Sequence, residues 1–262
     1  MDVPTTEIRV PTRGNRRLEA LLAAANADRR LQAWWYMQQV NADRRDMSDH
    51  SWVHIQIVVN IALRLFRLLV RAGVEPAMVS QHGMSPRDAE VVLAAACLFH
   101  DTGMSIHRTD HEQYSLFLAA DRLPQMLESS YDEPELTVVV SEALHAVIGH
   151  RRRGGEPITV EAGIVRVADA LDMASGRSRI PFETRRPNIH SISAAAIDGV
   201  SIEPGDERAV RIEIEMNNSS GLFQVDELLA TKLRGSGIEE HIEVVAEIDA
   251  EHEKRLVPVF RI

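Results

Sequence analysis

Histidine and aspartate side chains occur in this sequence where the packing of an apolar helix would need neither. The clearest case is His100 and Asp101, which directly follow the apolar run from Val91 to Phe99. Burying a carboxylate in an apolar environment is costly unless a cation or hydrogen-bond donors compensate it. Because an imidazole stands beside this carboxylate, the pair predicts a metal site.

Further candidate ligands lie on or beside other predicted helices. They are His54, His111, His145, His150 and Asp169. Imidazole and carboxylate ligands without cysteine suit Fe, Mn, Ni, Co or Zn, and Mg is a further candidate cofactor. Carboxylates can also bridge two ions, and paired ions about 3.5–4 Å apart are common in phosphoryl chemistry. The set therefore predicts one or two divalent ions.

Apolar periodicity and capping residues predict the helices that would position these ligands. Two helices are expected between residues 15 and 41, with a break at 26–28. A third is expected to start at Asp49 as its cap and to stop at Gly73. On this helix a histidine at position 50 would lie one turn before the one at position 54, on the same face.

Four later helices would carry the remaining candidates. One is expected over 85–101, where a serine cap, a proline and an acidic residue form its start. The next is expected to be capped by Asp110 and to end before Pro124. The last two are expected over 134–150 and 159–172.

The pattern changes after residue 175, where β-branched residues and turn signals become frequent. The expected order is strand, strand, helix, strand, strand, at 189–202, Val210–Met216, 225–233, Ile242–Ile248 and 256–262. The predicted fold class is therefore mainly α, with an all-helical domain at 1–182 and a small α+β domain (ββαββ) at 183–262. Residues 1–14 are expected to form a loose N-terminal arm.

Composition restricts the function classes. The chain has 262 residues, a formal net charge of −10 and a pI near 5.6, which argues against binding of a nucleic-acid backbone. Its single cysteine, Cys97, excludes an internal disulfide and fits a reducing cytoplasm. The first residues lack the apolar segment of a signal peptide, and charges interrupt the longest apolar run. We therefore expect a soluble, cytoplasmic protein without a membrane partner.

The ordered set of histidine, histidine–aspartate, histidine, histidine and aspartate resembles the HD-domain superfamily of metal-dependent phosphohydrolases over about residues 48–175. The similar segments are Leu-Phe-His-Asp-Thr-Gly at 98–103, His111 with Glu112, and Ile-Val-Arg-Val-Ala-Asp-Ala-Leu-Asp at 164–172. The resemblance implies that the helical domain is an HD-domain bundle around a metal centre.

The resemblance also implies roles for individual ligands. A first ion would be held by His54, His100, Asp101 and Asp169. In the two-metal members, which the additional histidines resemble, Asp101 would bridge to a second ion bound by His111 and His150. Asp101 would thus have both a metal-binding and a catalytic role.

Three further residues lie near these ligands in the predicted helices. His145 is about 140° around the helix from His150, so both can hardly bind one ion. It is either a proton donor to the leaving group or a packed histidine. Asp172 follows Asp169 by one turn and would orient a ligand. His50 is an added ligand, a partner that orients a ligand, or a solvent-facing residue.

Two departures from the superfamily bear on the substrate. Met104 stands where many members have a lysine after the His-Asp-x-Gly segment, so the positive charge for a phosphate would come from arginines. The candidates are Arg108, Arg151, Arg152 and Arg153. Residues 150–162 resemble the branch that cleaves cyclic di-nucleotides, but its Gly-Tyr-Pro signature is absent from the sequence, so that reaction is not assigned.

We expect a phosphohydrolase that cleaves a phosphate mono- or diester of a small, nucleotide-like substrate with a metal-activated water. Two alternatives are open. One is a two-iron oxygenase of the same superfamily, which would require redox-active iron, and the other is a regulatory module that senses a nucleotide. The C-terminal domain carries no recognisable catalytic set, and its strand edges would suit a homodimer or a lid over the metal cleft.

Overall fold

A bundle of helices forms the N-terminal two thirds of the protein. The computed structural model describes residues 3–151, 155–174 and 189–248. The helices of the bundle are α1 (Arg16–Ala27), α2 (Arg29–Asp43), α3 (Trp52–Arg71), the short α4 (Ala77–Ser80), α5 (Pro86–Phe99), α6 (His111–Leu127), α7 (Glu135–Gly149) and α8 (Val160–Leu171). The predicted fold class, mainly α with a small C-terminal sheet, is confirmed.

Helix α5 lies at the centre of the bundle. Every residue from Asp88 to Phe99 is buried, because α1, α3, α7 and α8 surround the helix. A helix that is apolar all round is typical of such a position. Its start is the predicted one, since the backbone N–H of Ser85 donates to Asp88 Oδ2 at 3.0 Å and Pro86 occupies the first turn. The helix therefore delivers its C-terminal end, residue 100, to the interior of the protein.

The turn after α5 is fixed by polar contacts. The indole N–H of buried Trp35 donates to the carbonyl of Leu98 at 3.0 Å, and the Ser115 hydroxyl donates to the carbonyl of His100 at 2.8 Å. Gly103 lies against the first turn of α6, where a Cβ atom would come within 2.0 Å of a backbone carbonyl oxygen. The turn and α6 can approach this closely only because residue 103 has no side chain.

Two predicted helix ends are wrong, and α6 begins at His111 as predicted but without the expected capping hydrogen bond. Helix α3 is capped by Ser51, whose hydroxyl accepts from the N–H of Val53 at 3.2 Å, and it starts after His50. Asp110 precedes α6 in a left-handed conformation and makes no capping hydrogen bond through its side chain. Helix α6 also continues through Pro124 to Leu127. The proline costs the helix one hydrogen bond, but burial of Leu123 and Leu127 on either side of it favours the helical conformation.

The N-terminal residues are not a loose arm over the part described, residues 3–14. The side chain of Ile8 is buried in the main hydrophobic cluster, and its backbone N–H donates to Asn26 Oδ1 at 2.8 Å. Asn26 in turn donates to the carbonyl of Ile8 at 3.0 Å. These contacts hold the segment against the end of α1.

The C-terminal part contains a helix and a three-stranded sheet. The elements are α9 (Ile189–Ala195), β1 (Ile197–Pro204), β2 (Val210–Met216) and β3 (Ile242–Ile248). The strand order is β1-β2-β3, with β1 antiparallel and β3 parallel to β2. Between β2 and β3 a π-helix, Gln224–Ala230, passes directly into the helical turn Thr231–Leu233. We refer to these residues as the 224–233 segment.

The sequence predicted β2 and β3 correctly but not the whole of 189–202. The first half of that range is helix α9, which buries the small residues Ser191, Ser193 and Ala194. The apparent strand signal came from β-branched residues that the helix tolerates in this tertiary setting. The predicted domain boundary near 182 and the predicted strand at 256–262 lie outside the described residues.

The sheet and the bundle share one hydrophobic core. Alternate residues of β2 are buried in the same cluster as α3, α5 and α8; they are Val210, Ile212, Ile214 and Met216. Arg64 of α3 also donates through Nε to the carbonyl of Ile202 on β1. The small sheet is therefore packed against the helical bundle.

Among the described residues, α3 has the length and apolarity of a membrane span. Over half of that stretch, 56%, is buried inside the protein. Its apolar side faces α5 and α8, which is the arrangement of a core helix.

Gly163 lies at a close contact between α8 and the C-terminal part. A Cβ atom at this position would come within 2.0 Å of the carbonyl oxygen of Ser236, just after the 224–233 segment. Neither backbone can give way without a shift of the element that carries it. The glycine therefore sets the distance between α8 and this segment.

We expect Gly163→Ala to lower the free energy of unfolding by about 1–3 kcal/mol, because the added methyl group overpacks a backbone contact. Chemical denaturation measures this directly. Gly149→Ala, on α7, is the matched control, because its Cβ would meet neighbours at 3.7 Å and more. Alanine there should be neutral or stabilising by up to about 1 kcal/mol. Equal effects of the two substitutions would contradict a tight contact at Gly163.

Candidate metal centre

Four imidazoles converge on the carboxylate of Asp101. The Nε2 atoms of His54 and His100 both lie 3.5 Å from Asp101 Oδ2. On the other side, His111 Nε2 lies 3.0 Å and His150 Nε2 lies 3.8 Å from Asp101 Oδ1. Each oxygen of this carboxylate thus faces its own pair of histidines. All five residues are buried.

Asp169 joins the first of these two groups. Its Oδ1 atom lies 3.4 Å from His54 Nε2 and 3.8 Å from His100 Nε2. The two histidine Nε2 atoms are themselves 3.2 Å apart. When ligand atoms are roughly 2.1 Å from one ion, they stand about 3.0–3.4 Å from each other. The spacing within this group therefore fits a single transition-metal ion.

Each of the four histidines donates its Nδ1 proton to an oxygen atom, so Nε2 is the nitrogen that can bind a metal. The acceptors are Asp172 Oδ2 for His54 (2.6 Å), the Cys97 carbonyl for His100 (2.8 Å), the Arg108 carbonyl for His111 (2.9 Å) and the Val147 carbonyl for His150 (2.6 Å). The predicted orienting role of Asp172 fits this contact.

These Nε2 atoms indicate that a cation belongs in the centre. The Nε2 atom of His150 is buried and makes no hydrogen bond to any residue that the structure describes. Such an orphaned acceptor is costly in a protein interior. The Nε2 atoms of His54 and His100 also face each other at 3.2 Å, within reach of one ion. The residues present therefore fit two metal ions, one in each group, with Asp101 between them.

Helix ends bring the ligands together. His54 lies in the first turn of α3 and His111 is the first residue of α6, whereas His100 and His150 directly follow α5 and α7. Asp169 lies in the last turn of α8. Because all these ends meet at one side of the bundle, ligands that are distant in sequence become neighbours.

Electrostatics favours the ligand forms of these groups. Burial alone would raise the pKa of Asp101, but the charge interaction with His100 and hydrogen bonding with His111 and His54 hold that pKa well below its usual range. The pKa of Asp169 is also well below its usual range, because Lys232 and the facing imidazoles outweigh burial. Burial lowers the pKa of His100 and of His150. Charged carboxylates and neutral imidazoles are the forms that bind metals.

A cleft of about 470 Å³ opens onto the centre. Four cationic side chains line it: Arg45, Arg108, Arg151 and Lys232. The guanidinium of Arg108 lies 3.0 Å from His111 Nδ1, and Arg151 pairs with Glu112 at 3.0 Å. Two of the four arginines predicted for phosphate binding are thus at the cleft. The other two, Arg152 and Arg153, lie outside the described residues.

His50 also reaches the cleft, although it precedes α3 and does not lie on its face. It is buried rather than solvent-facing, with Nδ1 donating to the Ser48 carbonyl at 2.7 Å and Nε2 at 4.0 Å from Asp101 Oδ2. His145 does not line the cleft, and its Nε2 atom accepts from the backbone N–H of Ile158 at 3.1 Å. This placement gives no support to a role of His145 as proton donor.

The structure adds cations that the sequence analysis missed. Lys232 and Arg45 line the cleft, whereas Met104 is buried and its side chain brings no charge there. The sequence contains only two lysines, Lys232 and Lys254, and this rarity was the one feature that could have drawn attention to Lys232. Nothing in the spacing of residues links Lys232 to Asp169, 63 positions earlier.

The comparisons with known proteins agree with this centre. The chain matches the family described as HD domain over residues 47–174. It is also 38% identical over 208 residues to the uncharacterized protein MJ1020 of Methanocaldococcus jannaschii, an alignment that covers 79% of this chain and 80% of the relative. The chain therefore belongs to the HD-domain superfamily of metal-dependent phosphohydrolases. The resemblance inferred from the ordered ligands is confirmed.

We expect Asp172→Asn to weaken binding of Mn²⁺ or Co²⁺ by about 10–100-fold, because the amide no longer holds the Nδ1 proton of His54 as a carboxylate does. Competition titration with a chelating dye measures the change. Glu142→Gln is the matched control, since Glu142 accepts from His82 at 2.9 Å away from the metal centre. Equal affinities for Asp172→Asn and the wild type would show that this contact does not orient the ligand.

Proposed function

We propose that the protein is a cytoplasmic phosphohydrolase with two metal ions, which cleaves a phosphate mono- or diester of a small, nucleotide-like substrate. The observation that carries the proposal is the pair of buried ligand groups that share Asp101 beneath a cationic cleft. Two ions bridged by a carboxylate are suited to displacement at phosphorus.

Different residues would have different roles in the hydrolysis. Metal ions in the two groups would supply a water of lowered pKa and Lewis acidity toward the phosphoryl oxygens. Asp101 holds the two groups at a fixed separation, because each of its oxygens faces a different histidine pair. Arg108 and Arg151 lie beside His111 and would bind phosphoryl oxygens of the substrate.

The rest of the cleft supports a nucleotide-like substrate. Its volume lies within the range of roughly 300–1,000 Å³ that is common for small-molecule sites. Away from the metal centre the lining mixes apolar and polar side chains. The apolar ones are Met47, Ala170, Met173, Ala194 and Leu228, and the polar ones are Asp46, Ser48, His190, Ser191 and Gln224. Apolar side chains beside hydrogen-bonding groups suit a base or another flat, polar-edged group, with the phosphate directed toward the arginines.

The cationic lining also separates this proposal from its alternatives. An oxygenase needs redox-active iron but not four cations around the substrate, whereas a phosphate ester needs compensation for its charge. A sensor without turnover would not need two groups of candidate ligands, and both groups are present here.

Metal analysis and a substrate panel test the proposal. The wild type should bind two ions per chain and hydrolyse at least one phosphate mono- or diester when loaded with Mn²⁺, Co²⁺, Fe²⁺, Ni²⁺, Zn²⁺ or Mg²⁺. Asp101→Asn should lower kcat by about 100–1,000-fold or more, because it removes the charge shared by both ions. Elemental analysis and released phosphate or nucleoside are the measurements.

Single histidine variants separate the two ligand groups. His111→Ala and His150→Ala should reduce the stoichiometry from two ions to one, since each removes a ligand of the second group alone. His241→Ala is the control, because this histidine lies in the C-terminal part, away from the metal cleft. Saturation of the wild type at one ion, unchanged in His111→Ala, would contradict the binuclear centre. A fully loaded protein without turnover across the panel would contradict the hydrolase.

A further inference from the structure

One cation of the metal cleft comes from the C-terminal part of the chain. Lys232 lies in the helical turn that follows the π-helix of the 224–233 segment, and its ammonium group contacts Oδ2 of Asp169. The other carboxylate oxygen of Asp169 faces the imidazoles of His54 and His100. Lys232 therefore reaches the metal centre from the side opposite to its histidine ligands.

The backbone of Lys232 is held in place on both sides. At the start of the segment, the Gln224 amide donates to the His190 carbonyl at 3.0 Å and to the Ser193 hydroxyl at 2.8 Å. At its end, Ser236 lies against Gly163 of α8, the helix that also carries Asp169. π-Helical turns are rare and occur frequently at functional sites. The fold thus builds a fixed support for one lysine at the cleft.

The charge balance at Lys232 changes when the centre is filled. The side chain is 20% exposed, and it lines the same cleft as the arginines. With a divalent ion in each group, the two ions together carry more positive charge than the carboxylates of Asp101 and Asp169 compensate, and Asp169, the partner of Lys232, is shared with the first ion. The ammonium group then lies beside a centre of net positive charge, where an anion that enters the cleft is a favourable partner. Arg151, by contrast, keeps its own partner, Glu112.

We propose that Lys232 is an anion-binding residue of this centre. With metal bound, its ammonium group holds a phosphoryl oxygen of the substrate beside Asp169, whereas Arg108 and Arg151 lie beside His111 of the second group. The C-terminal part of the chain thereby completes the substrate site. The inference rests on the proposed phosphohydrolase function and identifies a residue that binds the anionic group.

Inorganic phosphate, the expected product group, is the probe. Titration calorimetry on the Mn²⁺-loaded, full-length protein should show phosphate binding that is about 10–100-fold weaker in Lys232→Met, because one charge-assisted hydrogen bond is lost. Lys232→Arg keeps the charge and should restore most of the affinity. Arg234→Met is the matched control, since it removes a cation two positions away that is exposed and does not line the cleft.

Measuring the metal content of Lys232→Met shows whether Lys232 binds the anion or only positions Asp169. Lys232→Met should keep the metal stoichiometry of the wild type and raise KM more than it lowers kcat on any substrate that the panel identifies. Phosphate affinity within about twofold of the wild type would overturn the proposal. It would also be overturned if the variant lost metal while its loaded fraction bound phosphate normally, or if the wild type bound no phosphate.

The same experiment distinguishes the two proposals, because phosphate binding needs no turnover. Lys232-dependent phosphate binding without hydrolysis of any substrate would overturn the hydrolase and retain the anion site. Hydrolysis that is insensitive to Lys232→Met, with phosphate affinity unchanged, would overturn the role of Lys232 and retain the hydrolase.

Discussion

The carboxylate of Asp101 is the group on which the centre of this protein depends. It is buried, and each of its oxygens faces a separate pair of imidazole Nε2 atoms at 3.0 to 3.8 Å. All four imidazoles donate through Nδ1 to other oxygen atoms, so their Nε2 atoms are the ones that point at this carboxylate. Two groups of Nε2 atoms around one carboxylate are an arrangement that could hold metal ions. The surrounding helices bring these groups together.

The arrangement is achieved with helix ends instead of helix faces. A ligand at the end of a helix can be held by backbone contacts of the following turn, as His100 is held by the hydrogen bonds of Trp35 and Ser115. Gly103 lets this turn approach α6 closely enough for the first residue of α6 to face Asp101. Precise placement of the ligands thus follows from contacts between main chains, which side-chain motion disturbs little.

The C-terminal sheet is joined to the bundle both by packing and by charge. Its buried face belongs to the same core as the central helices, and the close contact at Gly163 fixes the segment that carries Lys232. This explains how the site can have Met104 after the His-Asp-x-Gly segment and still contain an ammonium group. The side chain of Met104 is buried in the protein, and the 224–233 segment supplies the positive charge at the cleft through Lys232.

The sequence by itself determined the superfamily and the mainly helical fold, and it predicted six candidate ligands that the structure brings together, because carboxylates and histidines at the ends of apolar helices are recognisable from periodicity and order. It did not predict that residues 3–14 pack against the bundle or that 189–195 form a helix, since burial by distant elements overrides local propensity. Only the tertiary structure decided which Nε2 atoms share Asp101, that His145 turns toward a backbone N–H, and that Lys232 meets Asp169. These contacts join residues far apart in the chain, and one sequence contains no record of which distant residues meet.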